Sequence, residues 1–325
     1  MVLTMKECFL QISEMCSLLG GISHQAIYKI IEKNSLESIM LSSRRKVLPP
    51  ESVRQILISK DFKYPKRKIL SFDMIKGGVG KTTLSSTFAL RASFYGCRTL
   101  LIDFDLQGNL TRSFISNGSK ENKIWINILK DGTPIQDTVI KISENLHIIP
   151  SNLNNSRLDI EMQQASINIK DHVKDIIQPI IDNYDLIVID CPPAINKVSA
   201  AAICASSNVV IPLNPDPFAM DGLQMTLNEI NRIKMNFKMN SPDYLVIWNK
   251  YDARKRLGAI YMHDLGKDIP VKNIIPVVIR TDASYENAVA DASSIFGLPR
   301  SSNAKEDIDQ MTRELLGISK WQETL

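Results

Sequence analysis

The sequence has few of the residues that build metal centres, disulfide frameworks or membrane spans. Its five cysteines are scattered without a Cys-x-x-Cys pair, and its four histidines do not cluster with cysteines or acids at metal-ligand spacing. No run approaches the roughly 20 apolar residues that span a bilayer, and Glu7 and Glu14 interrupt the apolar core of any secretory signal. These absences predict a cytoplasmic protein with reduced thiols and no iron–sulfur cluster.

Length and charge divide the chain into two unequal parts. With 325 residues and 44% hydrophobic content, it can hold one large domain and one small one. The net charge of +4 is uneven: residues 1–70 carry 12 Lys/Arg and 6 Asp/Glu, whereas the remainder carries 27 and 29. A basic excess at one end of a chain is typical of a segment that contacts a polyanion.

A glycine-rich loop joins an apolar run over 69–75, which predicts a strand, to a helical run over 84–91. The loop residues are Lys76, Gly77, Gly78, Val79, Gly80, Lys81, Thr82 and Thr83. Glycines let successive N–H groups point at phosphate oxygens, and the start of a helix adds partial positive charge. We expect Lys81 to reach the β- and γ-phosphates of a nucleotide and the Thr82 hydroxyl to bind Mg²⁺.

The loop departs from the usual pattern G-x-x-x-x-G-K-[ST], because Ile75 stands where the first glycine would fall and Lys76 opens the loop instead. This deviant form resembles the ParA/MinD family of P-loop ATPases. The resemblance implies that Lys76 crosses a dimer interface and touches the partner's nucleotide, so that two subunits enclose ATP. It also implies that Lys76 and Lys81 act in catalysis.

A second motif continues the resemblance after the predicted strand 98–104. The segment Asp103-Phe-Asp-Leu-Gln-Gly-Asn109 is similar to the family's D-x-D-P-Q-G-N, with Leu106 in place of proline. By resemblance, Asp105 orients the attacking water, and Asp103 supports the Mg²⁺ shell or the loop. Phosphoryl transfer needs a positioned nucleophile and charge neutralisation more than a strong base, which fits this assignment.

A third motif follows the almost wholly apolar run 185–189, which predicts a strand buried on both faces. It ends in Asp190 at the Walker B position, where the carboxylate would hold Mg²⁺ through water, and Cys-Pro-Pro follows as in the family. We interpret Cys191 as a packing residue beside the site, because nothing in this chemistry requires a thiolate.

The segment Asn249-Lys-Tyr-Asp-Ala-Arg254 allows two interpretations. Asn-Lys-x-Asp is the guanine-reading motif of GTPases, and Asp252 would then accept hydrogen bonds from guanine. The overlapping Tyr-Asp-Ala-Arg is common in ParA-like proteins, whose base is adenine. We therefore predict ATP, with Asn249 near the adenine.

The first 68 residues predict a small DNA-binding domain. Helical spacing over 11–19, a Gly-Gly turn, Ser23 as N-cap and a helix over 24–33 form a helix-turn-helix pattern. A basic hairpin over 39–48 and a third helix follow, and this order resembles the winged helix-turn-helix of MerR-like and excisionase-like proteins. The predicted DNA-contacting residues are His24, Gln25, Tyr28, Lys29, Arg44, Arg45 and Lys46. The alternative is a helical dimerisation module with solvated charges.

The remaining chain predicts alternating strands and helices. We expect strands over 146–150, 208–213, 244–249 and 273–279, and helices over 153–167, 170–182, 218–236 and 303–317. Arg280 is a further candidate for non-specific DNA contact, although the family's preceding proline and second arginine are replaced by Ile279 and Ala283. Residues 61–68 are expected to be a linker, in which the run Lys66-Arg67-Lys68 stays solvated. Mixed charges after Arg300 argue against a membrane-binding helix.

Together these features predict an α/β protein. Residues 1–68 would form the winged helix-turn-helix domain, and residues 69–325 an ATPase domain with a mostly parallel, doubly wound sheet. Resemblance implies a nucleoid-associated partition ATPase that dimerises on ATP, needs Mg²⁺, binds DNA and responds to a ParB-like partner, and the N-terminal domain would add operator binding and autorepression. The alternatives are a nucleotide-sensing regulator, a MinD-like membrane switch, and a reductase like the nitrogenase iron protein, which would need cluster-ligating cysteines.

Overall fold

The fold combines a small three-stranded sheet near the N-terminus with a large sheet of eight strands. The computed structural model describes residues 9–42, 45–115, 122–164, 167–290, 294–297 and 302–324. Within them the strands are β1 Leu10–Gln11, β2 Ile39–Ser42, β3 Arg45–Leu48, β4 Lys68–Phe72, β5 Thr99–Asp103, β6 Ile140–Ser143, β7 Leu146–Ile149, β8 Leu186–Asp190, β9 Asn208–Leu213, β10 Asp243–Tyr251 and β11 Ile274–Arg280.

Helices follow most of these strands, as expected for a parallel sheet. They are α1 Ile12–Leu18, α2 His24–Lys33, α3 Pro50–Ser59, α4 Lys81–Phe94, α5 Asn109–Phe114, α6 Trp125–Asp131, α7 Leu158–Gln164, α8 Ile169–Ile177, α9 Lys197–Ala205, α10 Ala219–Phe237, α11 Arg256–Asp268, α12 Ser284–Ala290, α13 Asn303–Leu316 and α14 Ile318–Gln322. Short 3-10 turns lie at Ile135–Thr138, Leu153–Arg157, Ile181–Asn183 and Val271–Asn273.

The large sheet has the strand order β11-β10-β9-β4-β8-β5-β7-β6. Its neighbours pair in parallel, except that β6 and β7 are antiparallel. The prediction of an α/β fold with a mostly parallel sheet is therefore confirmed. Because the carboxyl ends of parallel strands meet at one edge, the segments that follow β4, β5, β8 and β10 lie near one another.

Alternate residues of the central strands supply the cores on the two faces of the sheet. In β4, Leu70 and Phe72 join a cluster that also contains residues of α4 and α13, whereas Ile69 joins a cluster with residues of α8 and α9. A third cluster on this second face includes Leu223 and Ile230 of α10. Side chains of a strand alternate between faces, so strands buried on both faces need the near-continuous apolar runs seen here.

The N-terminal segment has the predicted order of two helices, a hairpin and a third helix. Ser23 caps α2, because its hydroxyl accepts a hydrogen bond from the backbone N–H of Ala26 at 3.2 Å. Ile27 and Ile31 of α2 are buried. The short strand β1 was not predicted; it pairs with β3, which gives the order β1-β3-β2. A two-residue strand carries too little periodicity to identify from sequence.

The segment 61–68, predicted to be a linker, packs on the larger part of the chain, although Lys66 and Arg67 are exposed as expected. Phe62 is buried, and the Tyr64 hydroxyl donates to the backbone carbonyl of Tyr95 at 2.5 Å. Lys68 Nζ donates to the carbonyl of Leu315 at 2.9 Å. The aromatic residues between the lysines give this segment apolar surface to bury, so it packs on the larger part of the chain instead of extending into solvent.

Other element boundaries differ from prediction for local reasons. The helix expected over 170–182 ends at Ile177, because Pro179 has no backbone N–H to donate to the carbonyl group four residues before it. The helix expected over 153–167 is a 3-10 turn followed by the short helix α7. The strands and helices predicted over 208–213, 218–236 and 303–317 lie where expected, within about a residue at each end.

Candidate nucleotide-binding site

The glycine loop curls between β4 and α4 and needs glycine at two positions. Gly78 and Gly80 have φ values of +73° and +94°, a region that residues with a Cβ atom rarely adopt. A Cβ atom on Gly80 would also lie 2.3 Å from Nδ2 of Asn249. The helix α4 begins directly afterwards at Lys81, so its N-terminus and the loop face the same space.

Lys81 is held in a fixed position inside this loop. Only 7% of the residue is exposed, and its ammonium group donates to the backbone carbonyl of Met74 at 2.9 Å. An ammonium group has three donors, so this contact leaves others for phosphate oxygens.

Asp190 lies at the carboxyl end of β8 and contacts the start of α4. Its Oδ2 accepts from the Thr82 hydroxyl at 2.7 Å, and its Oδ1 accepts from the Ser85 hydroxyl at 3.2 Å. Burial, together with the charge of Asp103, raises the pKa of Asp190 to about 8. The structure thus brings together Thr82 and Asp190, the two residues predicted to bind Mg²⁺.

The motif 103–109 contains two acids, Asp103 and Asp105, whose carboxylates make different contacts. Asp103 is fully buried; its carboxylate accepts from the backbone N–H and hydroxyl of Thr111, at 2.9 and 2.7 Å, and from the N–H of Asp105 at 3.1 Å. Asp103 therefore fixes the loop. Asp105 lies next to it, and its Oδ1 accepts from the N–H of Gln107 at 2.9 Å.

The residues around α4 fit a hydrated divalent cation. Asp73 is buried near Lys81, with only 4% of the residue exposed. Its Oδ1 has no hydrogen-bond partner among the described residues, and burial raises its pKa to about 7. With Asp103 and Asp190, this gives a surplus of buried carboxyl groups that a cation would stabilise. Hydroxyl and carboxylate oxygens are the metal ligands that Mg²⁺ prefers. Mg²⁺ usually takes one or two protein ligands together with waters and phosphate oxygens. Within the described chain, no cluster of three or more His, Cys, Asp or Glu forms a complete metal cage.

Asn249 and Lys250 close the loop from the end of β10. Asn249 Nδ2 donates to the carbonyl of Val79, and Lys250 Nζ donates to the carbonyl of Gly78, each at 2.7 Å. Asn249, the predicted base contact, is 4% exposed and therefore lies directly against the phosphate loop.

The ammonium group of Lys76 contacts residues outside the phosphate loop in this single chain. Its ammonium group lies 2.8 and 2.9 Å from the two carboxylate oxygens of Asp216 and 5.8 Å from the centre of the Phe218 ring. About a third of each partner in the ion pair is exposed. Lys76 is thus at the surface of the site, whereas Lys81 is inside it.

The predicted DNA-contacting residues fall in two groups. His24, Gln25, Tyr28 and Lys29 are exposed on α2, and Lys46 of the hairpin places its ammonium 5.2 Å from the centre of the Tyr28 ring. Arg45 is exposed, while Arg44 lies outside the described residues. The guanidinium of Arg280 is paired with Asp307 and Glu306, which reduces the positive charge that it offers to a phosphate.

Several residues of this site were not predicted from sequence. Their polar side chains contact the predicted residues: Asp73, Ser85, Thr111, Asp216 and Lys250. Ser85 lies four residues after Lys81, and Asp73 lies one residue after β4, so helical spacing and strand ends could have indicated these two. Asp216 reaches Lys76 across 140 residues of sequence, a distance that no local pattern reveals.

Fold and site together define a P-loop nucleotide-binding protein. A family model described as an AAA domain matches residues 67–241. The sporulation initiation inhibitor protein Soj of Bacillus subtilis is 32% identical over 218 residues, which covers 66% of this chain and 85% of Soj. The cell division protein PomZ of Myxococcus xanthus is 26% identical over 287 residues, 87% of this chain and 89% of PomZ. The chain belongs to the ParA/MinD family of P-loop ATPases.

A solved structure confirms the same fold. The plasmid partition protein of Borrelia burgdorferi bound to AMPPNP superposes with a TM-score of 0.63 at 24% identity, covering 77% of this chain and 98% of that one. None of the helices in the described part of the chain is long and apolar enough to cross a membrane.

Proposed function

We propose that this protein is a DNA-partition ATPase that uses ATP and Mg²⁺ to switch between states. The observation that supports this most strongly is the convergence of Lys81, Thr82, Asp105 and Asp190 at one edge of the sheet. Relatives of similar sequence carry the names of partition proteins, including the chromosome partitioning protein ParA of Caulobacter vibrioides.

Each residue of the site would contribute to one part of the reaction. The loop 76–83 and Lys81 would bind the phosphates, Thr82 and Asp190 would hold Mg²⁺, and Asp105 would orient the attacking water. Bound Mg²⁺ would neutralise charge on the phosphates. Asn249 would contact the adenine.

Nucleotide binding would join two subunits through Lys76. The dimer would bind DNA without strong sequence preference in the cytoplasm, on the nucleoid, and a ParB-like centromere-binding protein would stimulate hydrolysis and release. In a single chain Lys76 is paired with Asp216, so this pair would open when the lysine reaches a partner's nucleotide.

Residues 1–68 would form a winged helix-turn-helix that binds the protein's own operator and represses its gene. The exposed face of α2 and the neighbouring hairpin supply a basic surface for this role. Residues 69–325 would form the ATPase domain.

Steady-state ATP hydrolysis tests the main proposal. Slow turnover that non-specific duplex DNA raises and Asp105→Ala removes is the expected result. Asp182→Ala, which removes an exposed carboxylate, is the matched control and should hydrolyse ATP like the wild type. Turnover that persists in Asp105→Ala would contradict the role of this residue.

A nucleotide-sensing regulator is the second candidate, favoured by one contact. Glu14 of α1 forms a 2.9 Å ion pair with Arg91, which lies in the last turn of α4, and the first residue of α4 belongs to the phosphate loop. A helix that joins both sites could transmit nucleotide binding to the N-terminal segment. Absence of turnover together with nucleotide-dependent operator binding, unchanged in Asp105→Ala, would favour this candidate.

A further inference from the structure

The end of β10 and the turn that follows it contain the residues that decide which base the site accepts. Asn249 and Lys250 are both anchored on carbonyl groups of the phosphate loop. Because the partner of Asn249 Nδ2 is a carbonyl oxygen, the amide orientation is fixed and its other polar atom, Oδ1, is an acceptor. Asp252 stands three residues after Asn249, at the guanine-reading position of an Asn-Lys-x-Asp motif.

The carboxylate of Asp252 is held by Arg254. Arg254 Nε donates to Oδ1 at 2.8 Å and its NH2 group donates to Oδ2 at 2.9 Å, while its backbone N–H donates to Oδ1 at 3.1 Å. The Asp252 side chain is 13% exposed and that of Arg254 is 87% exposed. The guanidinium therefore covers the carboxylate from the solvent side and uses both of its oxygens in a bidentate contact.

Guanine would need the same edge of this carboxylate. Its N1–H and its exocyclic amine are adjacent donors that bind a carboxylate in a two-pronged geometry, as a guanidinium does. Adenine has an acceptor at N1 and gains nothing from a carboxylate there, whereas its exocyclic amine can donate to an acceptor such as Asn249 Oδ1. A site that keeps its carboxylate occupied thus loses the contact that makes guanine recognition strong.

We propose that Arg254 is a specificity-determining residue: it occupies Asp252 and so weakens the binding of guanine nucleotides by an otherwise complete Asn-Lys-x-Asp motif. This inference rests on the proposed nucleotide binding at the same site. Arginine suits the role because its planar fork matches both carboxylate oxygens, which the ammonium group of a lysine cannot do.

Competition binding of AMPPNP and GMPPNP to the full-length protein tests this proposal. The wild type should prefer AMPPNP by about 100-fold or more, since sites that depend on base hydrogen bonds discriminate strongly. Arg254→Ala should tighten GMPPNP binding by about threefold to fivefold, since a pair with so exposed an arginine is weak, and leave AMPPNP binding within about twofold. Arg254→Lys should also gain affinity for GMPPNP, because it keeps the charge but loses the fork.

Two further variants separate this effect from a general change of charge. Asp252→Asn combined with Arg254→Ala should lose the gain for GMPPNP, because no carboxylate remains to accept from the base. Arg256→Ala removes an exposed neighbouring arginine and should leave the ratio of the two affinities unchanged.

The outcomes distinguish the inference from the proposed function. An unchanged preference in Arg254→Ala, or equal binding of both nucleotides by the wild type, would overturn the role of Arg254 and leave the ATPase proposal in place. Binding of neither nucleotide by the folded wild type would overturn the proposed function and this inference with it.

Discussion

Lys76 Nζ lies 2.8 Å from Oδ1 of Asp216, so the lysine that opens the phosphate loop is neutralised within its own chain. Both side chains are about one third exposed. Ion pairs with this exposure contribute about 0–1 kcal/mol, so the pair can open at little cost. A lysine that is held this weakly at the surface of the site is available to a second subunit, whereas the buried Lys81 is not.

Lys76→Ala should therefore abolish nucleotide-dependent dimerisation and largely preserve nucleotide binding, because Lys81 and the loop remain. Light scattering with AMPPNP and Mg²⁺ measures the mass, and fluorescence titration measures the binding. Asp221→Ala, which changes an exposed acid at the start of α10, is the control and should dimerise normally. A Lys76→Ala protein that still dimerises would contradict a role for this lysine across the interface.

The N-terminal segment and the large sheet should unfold together. Leu10, Met15 and Leu57 belong to the same buried cluster as Phe88 of α4 and Met311 of α13. A shared core couples the two parts, so we expect one cooperative urea transition, with far-ultraviolet circular dichroism and tryptophan fluorescence coinciding. Two separate transitions would show that residues 1–68 fold independently.

This shared core also limits what deletion of the segment can reveal. Removing residues 1–68 would expose the apolar residues that it covers on α4 and α13, so loss of DNA binding could follow from unfolding. Point variants on exposed residues are therefore the better test of the DNA-binding role.

Arg54 should stabilise the contact between α3 and the large sheet. Its guanidinium donates to Asp185 at 2.6 Å and to the carbonyl of Gly96 at 2.7 Å, and only 17% of the side chain is exposed. Arg54→Met should lower the free energy of unfolding by about 1–3 kcal/mol, because a buried carboxylate and a carbonyl lose a donor.

Arg67→Met is the matched control, since the ion pair of Arg67 with Asp182 is exposed. This change should lower the free energy of unfolding in urea by less than about 0.5 kcal/mol. Equal effects of the two changes would show that burial does not distinguish these pairs.

The sequence predicted the chemical motifs better than it predicted how the parts pack. The phosphate loop, Asp105 and Asp190 follow strands whose apolar runs identify them, so local spacing was enough to place them at one edge. The packing of residues 61–68 was missed, because the lysines around Phe62 and Tyr64 gave the segment a polar composition. Long-range pairs such as Arg54 with Asp185 depend on the tertiary fold and have no local pattern.

Lys29 and Arg45 test the proposed operator-binding surface. Both are exposed, one on α2 and the other on the hairpin, and each is expected to contact a phosphate. Replacing both by alanine should weaken operator binding and reduce the slope of log K against log salt by about 2, as expected for two lost phosphate contacts. Fluorescence anisotropy at several salt concentrations measures this slope. Lys174→Ala removes an exposed charge on α8 and should leave it unchanged. An unaltered slope in the double variant would place the operator contact elsewhere.

His172 should make stability fall in mildly acidic solution. The residue is 7% exposed, its Nε2 accepts from the indole N–H of Trp125 at 3.3 Å, and burial lowers its pKa from 6.5 to about 4. Between these two values the unfolded chain binds the proton and the folded chain does not, so protonation favours unfolding. The stabilisation is therefore complete above about pH 6.5 and is lost progressively down to about pH 4, with a total of at most about 3 kcal/mol. From pH 4.5 to 8 the urea midpoint should rise less, or fall more, in His172→Gln than in the wild type, because glutamine keeps an acceptor for the indole but does not titrate. The buried Asp73, Asp103 and Asp190, whose raised pKa values act in the opposite direction, are present in both proteins. His263→Gln, at an exposed position, should follow the wild type. If His172→Gln retained the pH dependence of the wild type, other groups would account for the acid sensitivity.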